Sequence, residues 1–273
     1  MILLDLKMAK PQAEGTPARR SMTVAPVAPV VVKRTPLVAA GSKIQRFHSS
    51  ERMLHWAITI PFLVCYTTAL IMVVVYNPAP YRPFRSVFSW IHRCSGIALM
   101  VLPLLAMWKG RRELGVHWDN IKQAWIWGLD DFKWMALMPL AVLSSKIKLP
   151  EQGKFNAAEK VNFMVLMATY PLYILTGLLI WFKTYGLLAW ALHFLMALIA
   201  TPLIFGHMYM AMIDRGGRPG LGGMISGFVE REWAKHHYPI WYREHYEPAE
   251  EPASVEQDQE ACPATDCVPV REP

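Results

Sequence analysis

The chain has 273 residues, 53% of them hydrophobic, and a formal net charge of +7. Its apolar residues fall in blocks of about 20, the length that a helix needs to cross a bilayer. The basic residues lie in loops beside these blocks, whereas a nucleic-acid-binding domain would gather them in one patch. No phosphate-binding glycine loop, paired CxxC motif or Ser-His-Asp pattern indicates a soluble catalytic centre. Composition therefore indicates a membrane protein that does not bind nucleic acid.

Residues 1–43 are rich in Pro, Ala, Val and basic residues without a helical period, and we expect a disordered extension. The apolar start MILL is too short for a cleaved signal. The first predicted span is Met53–Tyr76, which carries His55 about one turn from its start. The second is Val87–Trp108, which carries His92 near its start and Gly96 one turn later. A glycine on that face leaves space for a flat cofactor or for a close helix–helix approach.

A long polar connector, Lys109–Lys160, follows the second span and contains the aromatic, amphipathic segment Trp118–Leu143. We predict that this segment forms an interfacial helix or helical hairpin, because its apolar part is too short to cross. The third span is Val161–Phe182, and the fourth is Leu188–Ile213. The fold class predicted is therefore an all-α membrane protein with four transmembrane helices in a bundle, plus interfacial helices.

After the fourth span, the basic and aromatic segment Met224–Tyr246 is expected to lie at the membrane interface. The acidic stretch Glu247–Pro273 is predicted to be a disordered tail. Its Cys262 and Cys267 are weak indications of a disulfide or a metal half-site, and we assign them no role. The folded membrane domain is thus expected to cover residues 44–246.

The basic residues also predict which way the spans run. The N-terminal region, the long connector and the C-terminal region hold 24 Lys and Arg residues, whereas the two short connectors hold three. Basic loops stay in the cytoplasm. Four spans in the inner membrane of a bacterium, with both termini cytoplasmic, satisfy this rule.

Two histidines, His193 and His207, lie 14 residues apart in the fourth span. A helix places them about 21 Å apart along its axis and within about 40° on one face. The predicted topology puts His193 at the depth of His92, which we name the outer pair, and His207 at the depth of His55, the inner pair. Neutral imidazole is a good axial ligand for haem iron, and helix bundles commonly enclose cofactors. We therefore predict that the four transmembrane helices form a haem-binding bundle with two haem sites.

Each histidine taken alone also fits a role without haem. A single membrane histidine is often an interhelical hydrogen-bonding residue, and the chain would then be a haem-free anchor or transporter. No charged partners are apparent at the depths of the four histidines, which argues against a proton relay. Zinc also fits poorly, because the two pairs lie far apart and no Cys or carboxylate joins them.

Several motifs resemble the gamma subunit of respiratory formate dehydrogenases, a membrane di-haem cytochrome b. The resemblance covers about residues 44–246. It rests on His55-Trp56, Ile91-His92, the run GKFNA at residues 153–157, His193, the run HMYMA at residues 207–211, the run GMISG at residues 223–227 and the run WAKHHYPIW at residues 233–241.

The resemblance implies that His92 and His193 ligate the iron of the outer b haem, and that His55 and His207 ligate that of the inner one. It implies a quinone, menaquinone or ubiquinone, bound near Asn156, although this chain has Ala158 where the family usually has glycine. The implied partners are an iron–sulfur beta subunit, a molybdenum- or tungsten-pterin alpha subunit that oxidises formate, and membrane lipid. The chain itself would be the quinone-reducing subunit, with no catalytic residue assigned. A cytochrome b subunit of a hydrogenase or a thiosulfate-type reductase remains the alternative within this class.

Overall fold

The computed structural model describes residues 39–144 and 146–247 of the chain. The predicted extension up to residue 38 and the predicted tail from residue 248, including Cys262 and Cys267, lie outside the described residues. Within the described residues the helices are α1 (Ser49–Ile71), α2 (Arg85–Lys109), α3 (Leu114–Trp125), α4 (Leu129–Leu143), α5 (Ala157–Trp181), α6 (Gly186–Met208), α7 (Arg218–Ser226), α8 (Arg231–His237) and α9 (Pro239–Tyr246).

Four of these helices, α1, α2, α5 and α6, are long and apolar enough to cross a membrane. A π-helical segment, Met72–Tyr76, extends α1, and a second one, Tyr209–Ile213, extends α6. Most of the apolar surface of the four helices faces outward, as lipid contact requires. The predicted fold class, an all-α membrane bundle with four spans, is confirmed.

The four spans form two helical hairpins. Helix α1 packs mainly against α2, and α5 packs mainly against α6. Tyrosine hydroxyls connect the hairpins and brace the second one: Tyr66 donates to Thr201 Oγ1, Tyr170 to the Leu99 carbonyl and Tyr173 to the Met196 carbonyl. Such hydrogen bonds help to hold helices together where lipid offers no partner. Backbone contact between α6 and either α1 or α2 is nevertheless sparse.

The connector between α2 and α5 forms two helices, α3 and α4, separated by residues 126–128. The segment Trp118–Leu143 was predicted to be a helix or hairpin, and it is divided between these two helices. Helix α4 has 15 residues and is too short to span, as expected. Their position at the membrane surface stays a prediction.

A small cap, which was not predicted from the sequence, lies at the polar end of the spans. It comprises α7–α9 and a three-stranded antiparallel sheet of β1 (Ala39–Ala40), β2 (Lys43–Gln45) and β3 (Phe228–Glu230). Its buried core consists of Ile44, Val229, Ala234, Tyr238, Trp241 and Tyr242. The predicted boundary of the disordered extension, residue 43, is therefore wrong, because the sheet includes residues 39, 40 and 43. The segment Met224–Tyr246 supplies β3, α8, α9 and the end of α7 to this cap, and its position at the membrane interface stays a prediction.

Gly227 makes the turn that leads from α7 into β3. Its φ is +95°, a conformation that L side chains rarely adopt. Its carbonyl accepts hydrogen bonds from the backbone N–H groups of Arg46 and Phe47. This turn ties the C-terminal cap to the segment that leads into α1.

Candidate haem sites

The outer pair brings α2 and α6 together. The ring centres of His92 and His193 lie 6.2 Å apart, with 76° between the ring planes. The inner pair does the same for α1 and α6, since the ring centres of His55 and His207 lie 6.4 Å apart at 54°. The four histidines that the sequence paired by depth are thus paired across helices in the structure.

These separations match two imidazoles that share one metal ion. A metal–imidazole nitrogen bond is about 2.0 Å long and the ring centre lies about 1.1 Å behind the nitrogen, so two ligating rings have centres about 6.2 Å apart. No group of three or more His, Cys, Asp or Glu side chains able to hold a metal is found in residues 39–144 and 146–247. A metal in either pair therefore takes its other ligands from elsewhere, as haem iron does from its porphyrin.

Two threonines determine which nitrogen of each outer ring is available. Thr68 Oγ1 donates its proton to the Val64 carbonyl (2.7 Å) and lies 3.1 Å from Nδ1 of His92. Thr176 Oγ1 donates to the Leu172 carbonyl (2.5 Å) and lies 2.9 Å from Nδ1 of His193. A hydroxyl that gives its one proton to a carbonyl can only accept a hydrogen bond from Nδ1–H of its histidine. Nδ1 of His92 also lies 3.0 Å from the Cys65 carbonyl, which only accepts, so this nitrogen carries the hydrogen. Nε2 of both rings then carries the lone pair that a metal needs.

The helices also leave room beside the rings. A Cβ atom at Gly177 would lie 3.4 Å from Cε1 of His193, so this glycine lets the ring approach α5. A Cβ atom at Gly96 would meet nothing within 4 Å, which agrees with the space expected on that face of α2. Together with the sparse contact of α6 with α1 and α2, the residues present fit a flat cofactor in each pair.

A buried polar cluster lies at the polar side of the inner pair. Nζ of Lys154 contacts Oε1 of Glu51 at 2.6 Å and Oδ1 of Asn120 at 2.7 Å, and Asn120 also donates to Glu51 Oε1. Burial lowers the pKa of Lys154, and the adjacent Glu51 carboxylate opposes that shift. Glu51 lies one turn before His55, so a charged pair does exist near this depth. The sequence did not reveal it because its members are 103 residues apart.

Asn156, the predicted quinone contact, is the N-cap residue of α5. Its Oδ1 accepts from the Glu159 backbone N–H, and its own backbone N–H donates to Oε2 of Glu159, both at 2.9 Å. This is a capping box, which fixes the start of α5. Oε1 of Glu159 accepts a hydrogen bond from the hydroxyl of the buried Tyr238 in the cap. A quinone contact at Asn156 stays a prediction.

His117 on α3 gives the polar end a measurable acid sensitivity. Burial lowers its pKa, as do Lys154 and His48, whereas Glu51 and Glu113 act in the opposite direction. A histidine whose pKa is lower in the folded state stabilises the fold above its ordinary pKa of about 6.5, and this stability is lost as the pH falls.

The unfolding temperature should fall between about pH 8 and about pH 5. We expect this fall to be about 2 °C smaller in the His117→Gln variant than in the wild type. The measurement is thermal unfolding of the purified protein in detergent. His236→Gln, at an exposed position of the cap, is the matched control. An equal effect of both variants would contradict the assignment.

The paired histidines lie within a segment that matches a known family. Residues 46–227 match the family model of prokaryotic cytochrome b561. The chain belongs to this family. The match includes all four spans and all four paired histidines, and a cytochrome b carries b-type haem. The chain is accordingly a multi-pass membrane protein of the cytochrome b class with a redox role.

Curated relatives confirm the resemblance stated from the motifs. The chain is 33% identical over 125 residues to the cytochrome b556(Fdn) subunit of the nitrate-inducible formate dehydrogenase of Escherichia coli K12, an alignment of 42% of this chain and 55% of that protein. The match thus spans about half the length of that relative. The cytochrome b556 subunit of Haemophilus influenzae formate dehydrogenase is 24% identical over 222 residues (76% and 85%). The cytochrome b556(fdo) subunit of E. coli K12 formate dehydrogenase is 23% identical over 221 residues (74% and 92%).

The residues around the paired histidines were not predicted from the sequence. Thr68 and Thr176 lie in apolar spans, where a threonine hydroxyl can hydrogen-bond to a backbone carbonyl of its own helix. The sequence signal that would have revealed them is a hydroxyl residue at the predicted depth of a histidine on the neighbouring span.

Proposed function

We propose that this protein is the membrane cytochrome b subunit of a formate dehydrogenase complex, and that it passes electrons from an iron–sulfur subunit to quinone. The observation that carries the proposal is the pair of facing histidines at each of two depths, both held by one helix, α6. The names of the relatives support formate as the ultimate electron donor. Formate oxidation itself belongs to a molybdenum- or tungsten-pterin partner subunit.

The two histidine pairs, which lie at different depths, would each hold one haem of the electron-transfer path. His92 and His193 would hold the outer b haem, and His55 and His207 the inner one. Bound haem iron supplies one-electron redox chemistry. The protein contributes ligation, an apolar surrounding and hydrogen bonds to the ligands, which together set the potentials. His193 and His207 lie on one continuous helix, which fixes the spacing between the two sites.

Quinone reduction would take place at the inner end. Asn156 caps the N-terminus of α5 there, and Lys154, two residues earlier, is tied to Glu51 on the same helix as His55. Menaquinone or ubiquinone bound beside this loop would take protons from the same side as the cap. The positive-inside rule makes that side the cytoplasm of a bacterium, with both termini there. Electron entry from the outside is then electrogenic, by about 2.3 kcal/mol for each charge that crosses 100 mV.

The proposal is tested by spectroscopy of the intact complex. We expect a reduced-minus-oxidised difference spectrum with a b-type α band, and we expect formate to generate the same band before quinone is added. The iron–sulfur and pterin subunits should co-purify with the chain.

Absence of an α band would instead favour a haem-free anchor or transporter. Haems that respond to hydrogen or to a sulfur compound, but not to formate, would assign the chain to a hydrogenase or a thiosulfate-type reductase. Either result would overturn the proposed function.

A further inference from the structure

The two histidine pairs differ in what lies behind the rings. In the outer pair, Nδ1 of each ring faces a threonine hydroxyl of the neighbouring helix in its own hairpin: Thr68 of α1 serves His92 of α2, and Thr176 of α5 serves His193 of α6. In the inner pair, His55 is different. Nδ1 of His55 is buried and has no hydrogen-bond partner among the described residues.

The outer arrangement repeats in detail. Nδ1 of His92 also lies 3.0 Å from the carbonyl oxygen of Cys65, which is three residues before Thr68. The backbone of Tyr173, three residues before Thr176, likewise accepts a hydrogen bond from the imidazole of His193. Each ring of the outer pair therefore has one hydroxyl and one backbone carbonyl as acceptors. Both hydroxyls give their single proton to the carbonyl four residues back, so neither can donate to the ring.

Hydrogen bonds of this kind change the electronic character of a ligand. An imidazole that donates its distal N–H to an oxygen becomes a more basic ligand. A more basic ligand favours the oxidised, more positive iron and so lowers its reduction potential. Nδ1 of His55 has no such acceptor within residues 39–144 and 146–247, so with Nε2 as the ligating nitrogen the His55 ring would not lower the potential at the inner site in this way.

We propose that Thr68 and Thr176 are positioning residues that hold the outer haem at a lower reduction potential than the inner haem, and thereby direct electrons inward. This inference rests on the proposed function, since it needs haem in both pairs. These hydrogen bonds would set the direction of electron transfer, which the topology alone leaves open. Electrons move from the site of lower potential to the site of higher potential.

The test is redox potentiometry of both haems, followed optically in the purified complex. The variant Thr68→Val, Thr176→Val keeps the side-chain shape and removes both acceptors. We expect the outer haem's midpoint potential to rise, while the inner one stays in place. A tenfold change in the redox equilibrium corresponds to about 59 mV for a one-electron couple, and the shift should be of this order or smaller because the backbone carbonyls remain.

Two control variants separate the hydrogen bond from the packing. Thr68→Ser, Thr176→Ser keeps both hydroxyls and should keep the wild-type potentials. Thr201→Val, on α6, removes a hydroxyl that bonds Tyr66 and the Ala197 carbonyl but serves neither pair, and should also leave both potentials unchanged. The single variant Thr176→Val gives a smaller rise of the same sign if the double variant does not assemble.

The outcomes distinguish this inference from the function on which it rests. Haems present in the double valine variant with an unchanged or lowered outer potential would overturn the role of the threonines. A His207→Ala variant identifies the outer haem, because it should retain only that one. In the wild type this haem must have the lower potential, and the opposite order would also overturn the role of the threonines. Absence of b haem from the wild-type complex would instead contradict the proposed function.

Discussion

Replacing His207 by alanine is expected to remove the inner haem and leave the outer haem bound. The imidazole of His207 faces that of His55 across a gap that matches one metal ion. The outer pair lies about 21 Å away along α6 and keeps both its ligands. Roughly half of the reduced-minus-oxidised α band should disappear. The rate of quinone reduction by formate should fall by at least about 100-fold, which is more than the loss of a hydrogen bond to a ligating histidine would cause.

The converse variant and a control variant are measured by the same α band and the same quinone-reduction assay. His92→Ala should remove the outer haem and leave the inner one, with the inner haem no longer reduced by formate. His236→Ala, at an exposed position of the cap, should change neither the band nor the activity. If His207→Ala retained both haems, or lost both to the same extent as His92→Ala, the assignment of the two pairs would be wrong.

Replacing Lys154 by methionine is expected to destabilise the polar end of the protein by about 3–5 kcal/mol. The change leaves the carboxylate of Glu51 buried beside Asn120 without its cation. An uncompensated buried charge costs far more than the pair itself contributes. Because Lys154 joins the loop before Asn156 to the start of α1, quinone reduction should weaken as well. Thermal unfolding in detergent and the KM for quinone are the measurements.

Two further variants test whether the unpaired buried charge causes this loss of stability. Lys133→Met breaks an exposed pair with Asp130 and should change stability by about 1 kcal/mol or less. The double variant Glu51→Leu, Lys154→Met removes both charges and should recover most of the stability that Lys154→Met loses. Equal stability of Lys154→Met and Lys133→Met would show that the buried pair does not hold this end together.

Hydropathy and helical geometry predicted the membrane part of this molecule. The spans could be read locally, because a helix that crosses lipid satisfies its own backbone and needs about 20 apolar residues. His193 and His207 could be placed on one face for the same reason, and the basic loops then paired them with His92 and His55. The structure adds the measured approach of the rings, which the sequence could only imply.

The cap and the contacts behind the ligands were not predictable in this way. Strands β2 and β3 have three residues each and stand nearly 200 residues apart, so neither carries a local periodic signal. The ion pair of Glu51 with Lys154 joins residues 103 positions apart, and each residue alone is typical of a polar helix end. Such contacts are set by tertiary packing, which a single sequence does not display.

The sparse packing of α6 against α1 and α2 has a consequence for how the protein is made. Each hairpin can insert into the bilayer as a separate unit, but little backbone contact draws α6 toward the other hairpin. Haem ligated from both sides would add to the few hydrogen bonds that join the hairpins, so cofactor insertion would be the step that completes the bundle. Cells starved of haem should therefore accumulate two inserted but unassembled hairpins, which membrane proteases would clear before the partner subunits could dock.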